Sequence, residues 1–487
     1  MNTMFATKTT FYTLLVLSCF FTIYLYQPFG LYFLNDDFIH IPLSAKGIYL
    51  QTHFARPVHE FLLHIEFLLF GKNPTGYHFT ALLIHLSCAF LFFKLVYRLL
   101  IRYEGFDKES AKTGALITVS LFLVYAFHSE SILWILGRTS SLCTIFFIIS
   151  IIYYLKKKEN RFNLYLSIFS FQIGLFTYES IWIAPLIILI IGLLEIVVKK
   201  ANKKTEIIAM SLYCTSFLLF MVIRYFILDR SMDSYESDAI TSLNLEKLFL
   251  NYNRLIARSF LPPMESTKIF VLFYFLIMLI VVFIVFKLLR RWKQNPLSVF
   301  IFIGFLISIL PYISLGIDTH DTESERYFYL PSVFWCLGVG YCFIKLNWNN
   351  ALKFMLFILL ILFHAFYAFY NSVDYRIASE ISKSSLVDVN NYSKVNSAVC
   401  VKNIPKQFNG VKIFEMGFKE GLHWIYQTDT SKLVLSNFIE IFPINKSISF
   451  FELSQQFRFV PTKDPSPEVK CTKFEFVYNY KLFGESK

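Results

Sequence analysis

Phe11-Tyr12-Thr13-Leu14-Leu15-Val16-Leu17-Ser18-Cys19-Phe20-Phe21-Thr22-Ile23-Tyr24-Leu25-Tyr26, followed after a short interval by Leu34-Asn35-Asp36-Asp37-Phe38, sets the terms for the whole chain. An apolar run of the length that enters a bilayer core ends beside two adjacent carboxylates. Ionised groups side by side at a lipid boundary repel each other and resist loss of water, so keeping them there points to chemistry at a membrane surface.

The remaining composition agrees. Of 487 residues, 56% are hydrophobic and only 16% charged, more apolar surface than a soluble globule of this length buries. Reading outward with a window of about 20 residues, we expect eleven helices, near 10–28, 78–99, 112–128, 139–155, 162–178, 180–198, 206–228, 268–289, 297–316, 328–346 and 351–370. The fold class is an α-helical polytopic membrane protein. Its transmembrane domain is expected over 1–370, with a long first outer loop at 29–77 that carries an interfacial helix around Phe61–Phe70. From 371 to 487 the apolar runs shorten and alternate, as in Val399-Cys400-Val401, Lys412-Ile413-Phe414, Leu433-Val434-Leu435 and Phe474-Glu475-Phe476-Val477. A small β-rich or α+β soluble domain is expected there.

The net charge of +12 would suit nucleic acid if the cations formed one patch, but they sit between the apolar spans. Arg98, Arg102, Lys108 and Lys112 share one loop; Lys156, Lys157, Lys158 and Arg161 another; Lys199, Lys200, Lys203 and Lys204 a third; Lys287, Arg290, Arg291 and Lys293 a fourth. All have the same parity. By the positive-inside rule they are cytoplasmic, as is the N-terminus, and the C-terminal domain is extracytoplasmic. The first apolar run reads as an uncleaved signal anchor. On the outer face this parity gathers the Asp36-Asp37 loop, His128-Ser129-Glu130-Ser131, Thr177-Tyr178-Glu179-Ser180 and the stretch from Asp318 to Arg326. A nucleotide-dependent enzyme is disfavoured on that side, and no Gly-rich phosphate loop is present.

Asn35-Asp36-Asp37-Phe38, Arg56-Pro57-Val58, Gly71-Lys72-Asn73-Pro74-Thr75-Gly76-Tyr77-His78, His128-Ser129-Glu130-Ser131-Ile132-Leu133-Trp134-Ile135-Leu136-Gly137-Arg138 and Ser324-Glu325-Arg326-Tyr327-Phe328-Tyr329-Leu330-Pro331-Ser332 occur in one order. That succession resembles the membrane half of the GT-C protein O-mannosyltransferases that carry tetratricopeptide repeats. The likeness covers about residues 10–370, and no such repeats follow. It implies sugar transfer by inverting displacement from a polyprenyl-phosphate donor to a protein, lipid or glycan acceptor, among membrane lipids and without nucleic acid.

The residues can be assigned roles that fit. An acceptor hydroxyl needs a base, and Asp37 or Asp36 can serve, Asp37 standing slightly ahead. A departing phosphate needs fixed cations, for which Arg326, then Arg138 and Arg56, are the candidates. Each is also open to a structural ion pair: Arg138 with Glu130, or Arg326 with Glu325 or Glu323. Glu130, His78, His59, Glu179, Glu325 and Tyr329 are expected around the substrate cavity. The histidines, His53, His64, His85 and His320 included, lack the tight pairing of a zinc site, so a divalent metal is not favoured and no cofactor is certain. Cys400 and Cys471, alone among the eight cysteines, fall in the outer domain, where they could pair. Two other readings stay open: a ligase or polymerase moving a preassembled lipid-linked glycan, and a lipid or glycan transporter.

Overall fold

The computed structural model describes residues 16, 20–50, 56–228, 244–264, 266–290, 293–345, 348–395, 399–443, 458–461, 472–477 and 483–485. The first half of the expected span 10–28, residue 16 excepted, lies outside them, together with Cys19, His53 and Cys471.

Fourteen principal helices follow in order: α1 Asp37–Ala45, α2 Pro57–Phe70, α3 Pro74–Leu99, α4 Lys108–Leu123, α5 Thr139–Leu155, α6 Phe162–Leu175, α7 Ala184–Val197, α8 Lys203–Leu228, α9 Leu245–Arg258, α10 Thr267–Leu289, α11 Pro296–Ser308, α12 Pro331–Lys345, α13 Asn350–Ser393 and α14 Phe418–Tyr426. Their starts are written locally. Asn73 accepts from the Thr75 amide at 3.1 Å ahead of Pro74, and Asp107 accepts from the amides of Glu109 and Ser110. Such caps satisfy amide groups that a helix start leaves unpaired.

Among the described residues six helices are long and apolar enough to cross a membrane, and a seventh crossing is made if Lys108–Leu123 and Ala126–Leu133, bent by 58°, count as one. Each expected span from 78 to 370 coincides with a helix. Three of them are shorter than a crossing: Phe162–Leu175, Pro296–Tyr312 and Pro331–Lys345. The reason lies at one end, where these helices give way to short turns at Glu179–Ile183, Leu310–Tyr312 and Glu325–Phe328. That end is the one that carries the polar residues read as outer.

The opposite end holds the basic loops, and there the charges pair. Glu195 is buried and accepts from Arg102 at 2.6 and 2.7 Å and from the Tyr103 hydroxyl at 2.8 Å, while Lys157 meets Glu206 at 3.0 Å and Lys345 meets Glu104 at 2.5 Å.

Residue 371, expected as a domain boundary, falls inside α13. This helix runs for 44 residues from the apolar bundle into the soluble part. Polarity changes along it, but Asn350–Ser393 contains no Gly or Pro to end the helix. Its far half packs on a mixed sheet of strands β1 Val399–Phe408, β2 Val411–Lys412, β3 Leu433–Pro443, β4 Arg458–Pro461, β5 Thr472–Val477 and β6 Phe483–Glu485. The order is β4-β5-β1-β3-β6, with β2 paired to β1; β1 is parallel to β3 and β5, and the edge pairs are antiparallel. Cys400 on β1 is disulfide-bonded.

Two cores result. One fills the bundle around Phe92, Phe122 and Phe147. The other joins the first outer loop to the sheet: Phe38 of α1 is fully buried against Phe33, Phe414 and Trp424. Burying a side chain of that size contributes about 2 kcal/mol. The soluble domain is thereby fastened directly onto the residues that follow the carboxylate pair.

Candidate active site

Asn35 takes a left-handed conformation (φ +50°), its amide donates to Ile413 O at 2.7 Å, and its side-chain oxygen accepts from the Met416 amide at 2.9 Å. Asparagine tolerates that backbone better than most residues. The turn it makes aims the two carboxylates differently. Asp37 is buried, and its Oδ2 accepts from the Leu34 amide at 2.9 Å, closing the turn; its Oδ1 has no partner among the described residues. Asp36 is half-buried and lines a cavity of about 660 Å³, its one side-chain hydrogen bond among the described residues being a long contact of 3.4 Å from Asn35 Nδ2.

Burial raises the pKa of both acids. For Asp37 the charge of Asp36 adds to the rise and takes it well above the usual range; for Asp36, His40, Arg326 and Lys412 work against it. His40, on the next turn of α1, hydrogen-bonds Glu60 at 2.9 Å. Burial opposes its protonated form, but Glu60 and Asp36 outweigh that and raise its pKa.

The other polar walls come from two more of the segments read as outer, at Tyr178-Glu179 and between Asp318 and Arg326, from Arg56 and Glu60 of the first outer loop, from Lys412 and Glu415 beside the sheet, and from one helix that was not anticipated; Glu130, expected on the wall, stands behind it as the partner of Arg326. Arg326 donates its backbone amide to Glu130 Oε2 at 2.8 Å and its guanidinium to Glu130 Oε1, with its Cζ 5.1 Å from the Trp134 ring centre. Glu130 is held by a compact loop: a Cβ at Gly137 would stand 2.3 Å from the Glu130 carbonyl oxygen. Arg56 meets Glu179 at 2.8 Å and lies over Tyr178, while Arg224 reaches the other Glu179 oxygen at 3.3 Å. His59 is also on the cavity wall.

Several expectations are corrected here. Arg138 pairs with Glu66 through both carboxylate oxygens, one contact being 2.7 Å, and not with Glu130; it is fully buried and off the cavity. Arg326 pairs with Glu130, not with Glu325 or Glu323. Glu325 binds Arg258 at 2.7 Å and Asn371 at 3.2 Å, and burial pushes its pKa up to about 8. Tyr329 hydrogen-bonds His85 at 2.7 Å within the bundle, and His78 is buried on α3; neither lines the cavity. The shared cause is that helix residues one or two turns below the surface point into the bundle core.

The unanticipated wall is α9. Lys247, Asn251 and Arg254 lie at positions i, i+4 and i+7, on one helical face, and all three border the cavity. Lys247 and Arg254 have no acidic partner among the described residues. The available signal was amphipathic periodicity, Leu245, Leu248, Tyr252 and Leu255 alternating with polar residues, in a segment too polar to register as a span.

The chain is therefore a polytopic membrane protein with a polar cavity at one end, walled by carboxylates, paired arginines and two cations, Lys247 and Arg254, that have no acidic partner among the described residues. No family model matches it. Over 137 residues, 26% of this chain, it is 32% identical to a protein O-mannosyl-transferase, Tmtc3, of Drosophila melanogaster, and over 125 residues 29% identical to TMTC3 of Mus musculus. The matched parts span 14% and 12% of those proteins. The resemblance read from the motifs is thus present in these relatives. Among solved structures it is similar to an Archaeoglobus fulgidus oligosaccharyltransferase tethered with an acceptor peptide (TM-score 0.45, 11% identity, 88% of this chain and 64% of that one). It is also similar to ArnT from Cupriavidus metallidurans bound to undecaprenyl phosphate (TM-score 0.44, 9% identity, 94% and 96%).

Proposed function

We propose that this protein is a membrane glycosyltransferase that moves a sugar from a polyprenyl-phosphate carrier to an acceptor hydroxyl, with Asp36 as the general base. The observation that carries this reading is the placement of the Asp36 carboxylate on the same cavity as Arg326, Arg254 and Lys247. In the displacement, the acceptor oxygen bonds to the anomeric carbon as the carbon's bond to the phosphate oxygen breaks. The hydroxyl proton passes to Asp36, and the polyprenyl phosphate leaves with the electron pair. A carboxylate within reach of the hydroxyl contributes about 10²- to 10⁴-fold to such a step. Fixed cations stabilise the charge gathering on the leaving phosphate.

Arg326 is already held by Glu130, which fixes its direction and leaves other guanidinium donors for phosphate oxygens. Arg254 and Lys247 have no acidic partner among the described residues, and a dianionic phosphate would supply one. Attack from the face opposite the phosphate inverts the anomeric centre. The cavity end faces away from the cytoplasm, because the basic loops occupy the other end. The matched relatives make mannose the first donor sugar to try and a protein hydroxyl the first acceptor.

The test is transfer by the purified full chain in nanodiscs, using radiolabelled polyprenyl-phosphate mannose and a membrane acceptor extract. Label should appear in acceptor with one polyprenyl phosphate released per transfer, and Asp36→Asn should remove it while the protein stays folded. Wild-type rates in Asp36→Asn would remove the base. Transfer only of preassembled lipid-linked glycans would replace the reading with a ligase. Movement of label across sealed vesicles without bond formation would replace it with a transporter.

A further inference from the structure

A second cavity lies at the other end of the bundle, and nothing in the sugar-transfer reading uses it. It encloses about 450 Å³ between α3 and α5, with Phe93, Tyr97, Ile101 and Ile152 as apolar walls. Lys94 and Arg98 on α3 and Arg102 on the π-helical turn Leu100–Glu104 that continues it recur every fourth residue and form one stripe; Lys156, just past the end of α5, faces the same space. Glu159 is the only acid lining it among the described residues.

Pairing consumes part of this charge and leaves part. Arg98 meets Glu159 at 3.3 Å, and Arg102 is fully engaged by buried Glu195. Lys94 and Lys156 have no acidic partner among the described residues; their ammonium groups lie over the rings of Phe90, at 4.1 Å, and Tyr153, at 5.8 Å. Lys94 also stands two turns inside Arg102 on a helix apolar enough to cross a membrane. A lysine at that depth bends toward the interface and offers its charge to whatever anion lies beside the helix.

We propose that this groove binds an anionic membrane phospholipid, its phosphodiester held by Lys94 and Lys156 and an acyl chain laid against Phe93, Tyr97 and Ile152. A soluble phosphate would match the cations but would leave the apolar walls without an occupant, whereas a phospholipid satisfies both. Basic pockets between transmembrane helices take headgroups in this way. The stripe on α3 would then hold the lipid at the face opposite the candidate active site, independently of whether that site transfers sugar.

The experiment is native mass spectrometry of the full chain exchanged into detergent containing equal amounts of phosphatidylglycerol and phosphatidylcholine. The wild type should retain one phosphatidylglycerol, and Lys94→Ala/Lys156→Ala should lose that preference by about tenfold or more, each lysine near the surface adding about fivefold. Lys94→Arg/Lys156→Arg should keep it, which separates loss of charge from loss of fold, as should Lys199→Ala/Lys200→Ala at another basic loop. Equal retention of the two lipids, or full retention by the alanine pair, would overturn the proposal. So would displacement of the lipid by excess inorganic phosphate with the phosphate itself retained, since that assigns the site to a free anion.

Discussion

Asp36 and Asp37 are neighbours in sequence but not in environment: the first borders the cavity, and the second is turned inward, its Oδ2 2.9 Å from the Leu34 amide. The side-by-side carboxylates therefore divide into one that faces the cavity and one that closes the turn. The sequence put Asp37 slightly ahead of Asp36 as the base; the base proposed above is Asp36, because it is the acid that borders the cavity.

The two amide substitutions should separate. Asp36→Asn should lower transfer by about 10²- to 10⁴-fold with little change in melting temperature. Asp37→Asn keeps an acceptor for the Leu34 amide but brings a buried NH₂ toward the unpartnered Oδ1 position, so it should cost about 1–3 kcal/mol of stability and leave measurable transfer. Thermal melts in detergent beside initial rates decide it; inactive, well-folded Asp37→Asn with active Asp36→Asn would restore the original order. Both rates should persist after chelation by EDTA, because the displacement is written with a carboxylate base and side-chain cations.

The raised pKa of Asp36 has a consequence for pH dependence. A base works only when deprotonated, and a raised pKa means that the proton is taken up at higher pH than by an ordinary aspartate. The acid limb of kcat/KM should therefore lie above the usual aspartate range of about 4. Lys412 and Arg326 favour the ionised form, so Lys412→Ala should move the limb further toward neutral pH. A profile flat down to pH 4 would contradict the assignment.

Arg138 was a candidate for phosphate and is instead buried with Glu66, its Nη1 also donating to Tyr77 O at 3.1 Å. Removing one member of such a pair strands the other, so Arg138→Ala or Glu66→Gln should each cost about 3–5 kcal/mol. The double change to Met and Gln should cost less than the sum. Donor KM in the folded fraction should stay near wild type. A raised donor KM with unchanged melting would return Arg138 to the phosphate site.

Lys247 and Arg254 give the opposite pattern. Both are exposed on α9, so alanine there should change stability by less than about 0.5 kcal/mol. Donor KM should rise by about tenfold for Arg254→Ala and less for Lys247→Ala, since an arginine can grip two phosphate oxygens and a lysine acts as a point charge. Kinetics at several donor concentrations measure the split.

What could be read from the chain follows the range of the interactions. The helices were legible because apolar length is a local property, and Asp36 was legible because a charge beside an apolar run is conspicuous without knowing the fold. The pairing of Arg326 with Glu130 was not, because the partners are 196 residues apart and nothing in sequence distinguishes Glu130 from Glu325 as the acid. Lys247 and Arg254 were missed for a different reason. A surface helix with an apolar stripe and a polar face falls between the two patterns sought, a crossing and a loop. The change in polarity at 371 does not show that one helix, Asn350–Ser393, runs through it, because polarity and helix continuity are separate properties.

The attachment of the soluble domain supplies the last prediction. Gly417 has φ +81°, and a Cβ placed there would stand 2.4 Å from the backbone oxygen of Asn35, the residue before Asp36. A side chain would meet both a left-handed backbone and a fixed carbonyl, so neither rotation nor a small local shift relieves it. Gly417→Ala should therefore push the bend at Met416 away from Asn35 and loosen the turn that presents Asp36. A displacement of about 1 Å at a reacting group costs on the order of 10²-fold in rate. Transfer should fall by up to that amount, while the transmembrane bundle, which has its own core, keeps its protection from amide hydrogen exchange. Increased exchange should be confined to residues 31–45 and 411–426, the two faces that meet at this contact. Full activity in Gly417→Ala with unchanged exchange would show that the soluble domain is not needed to position the carboxylate.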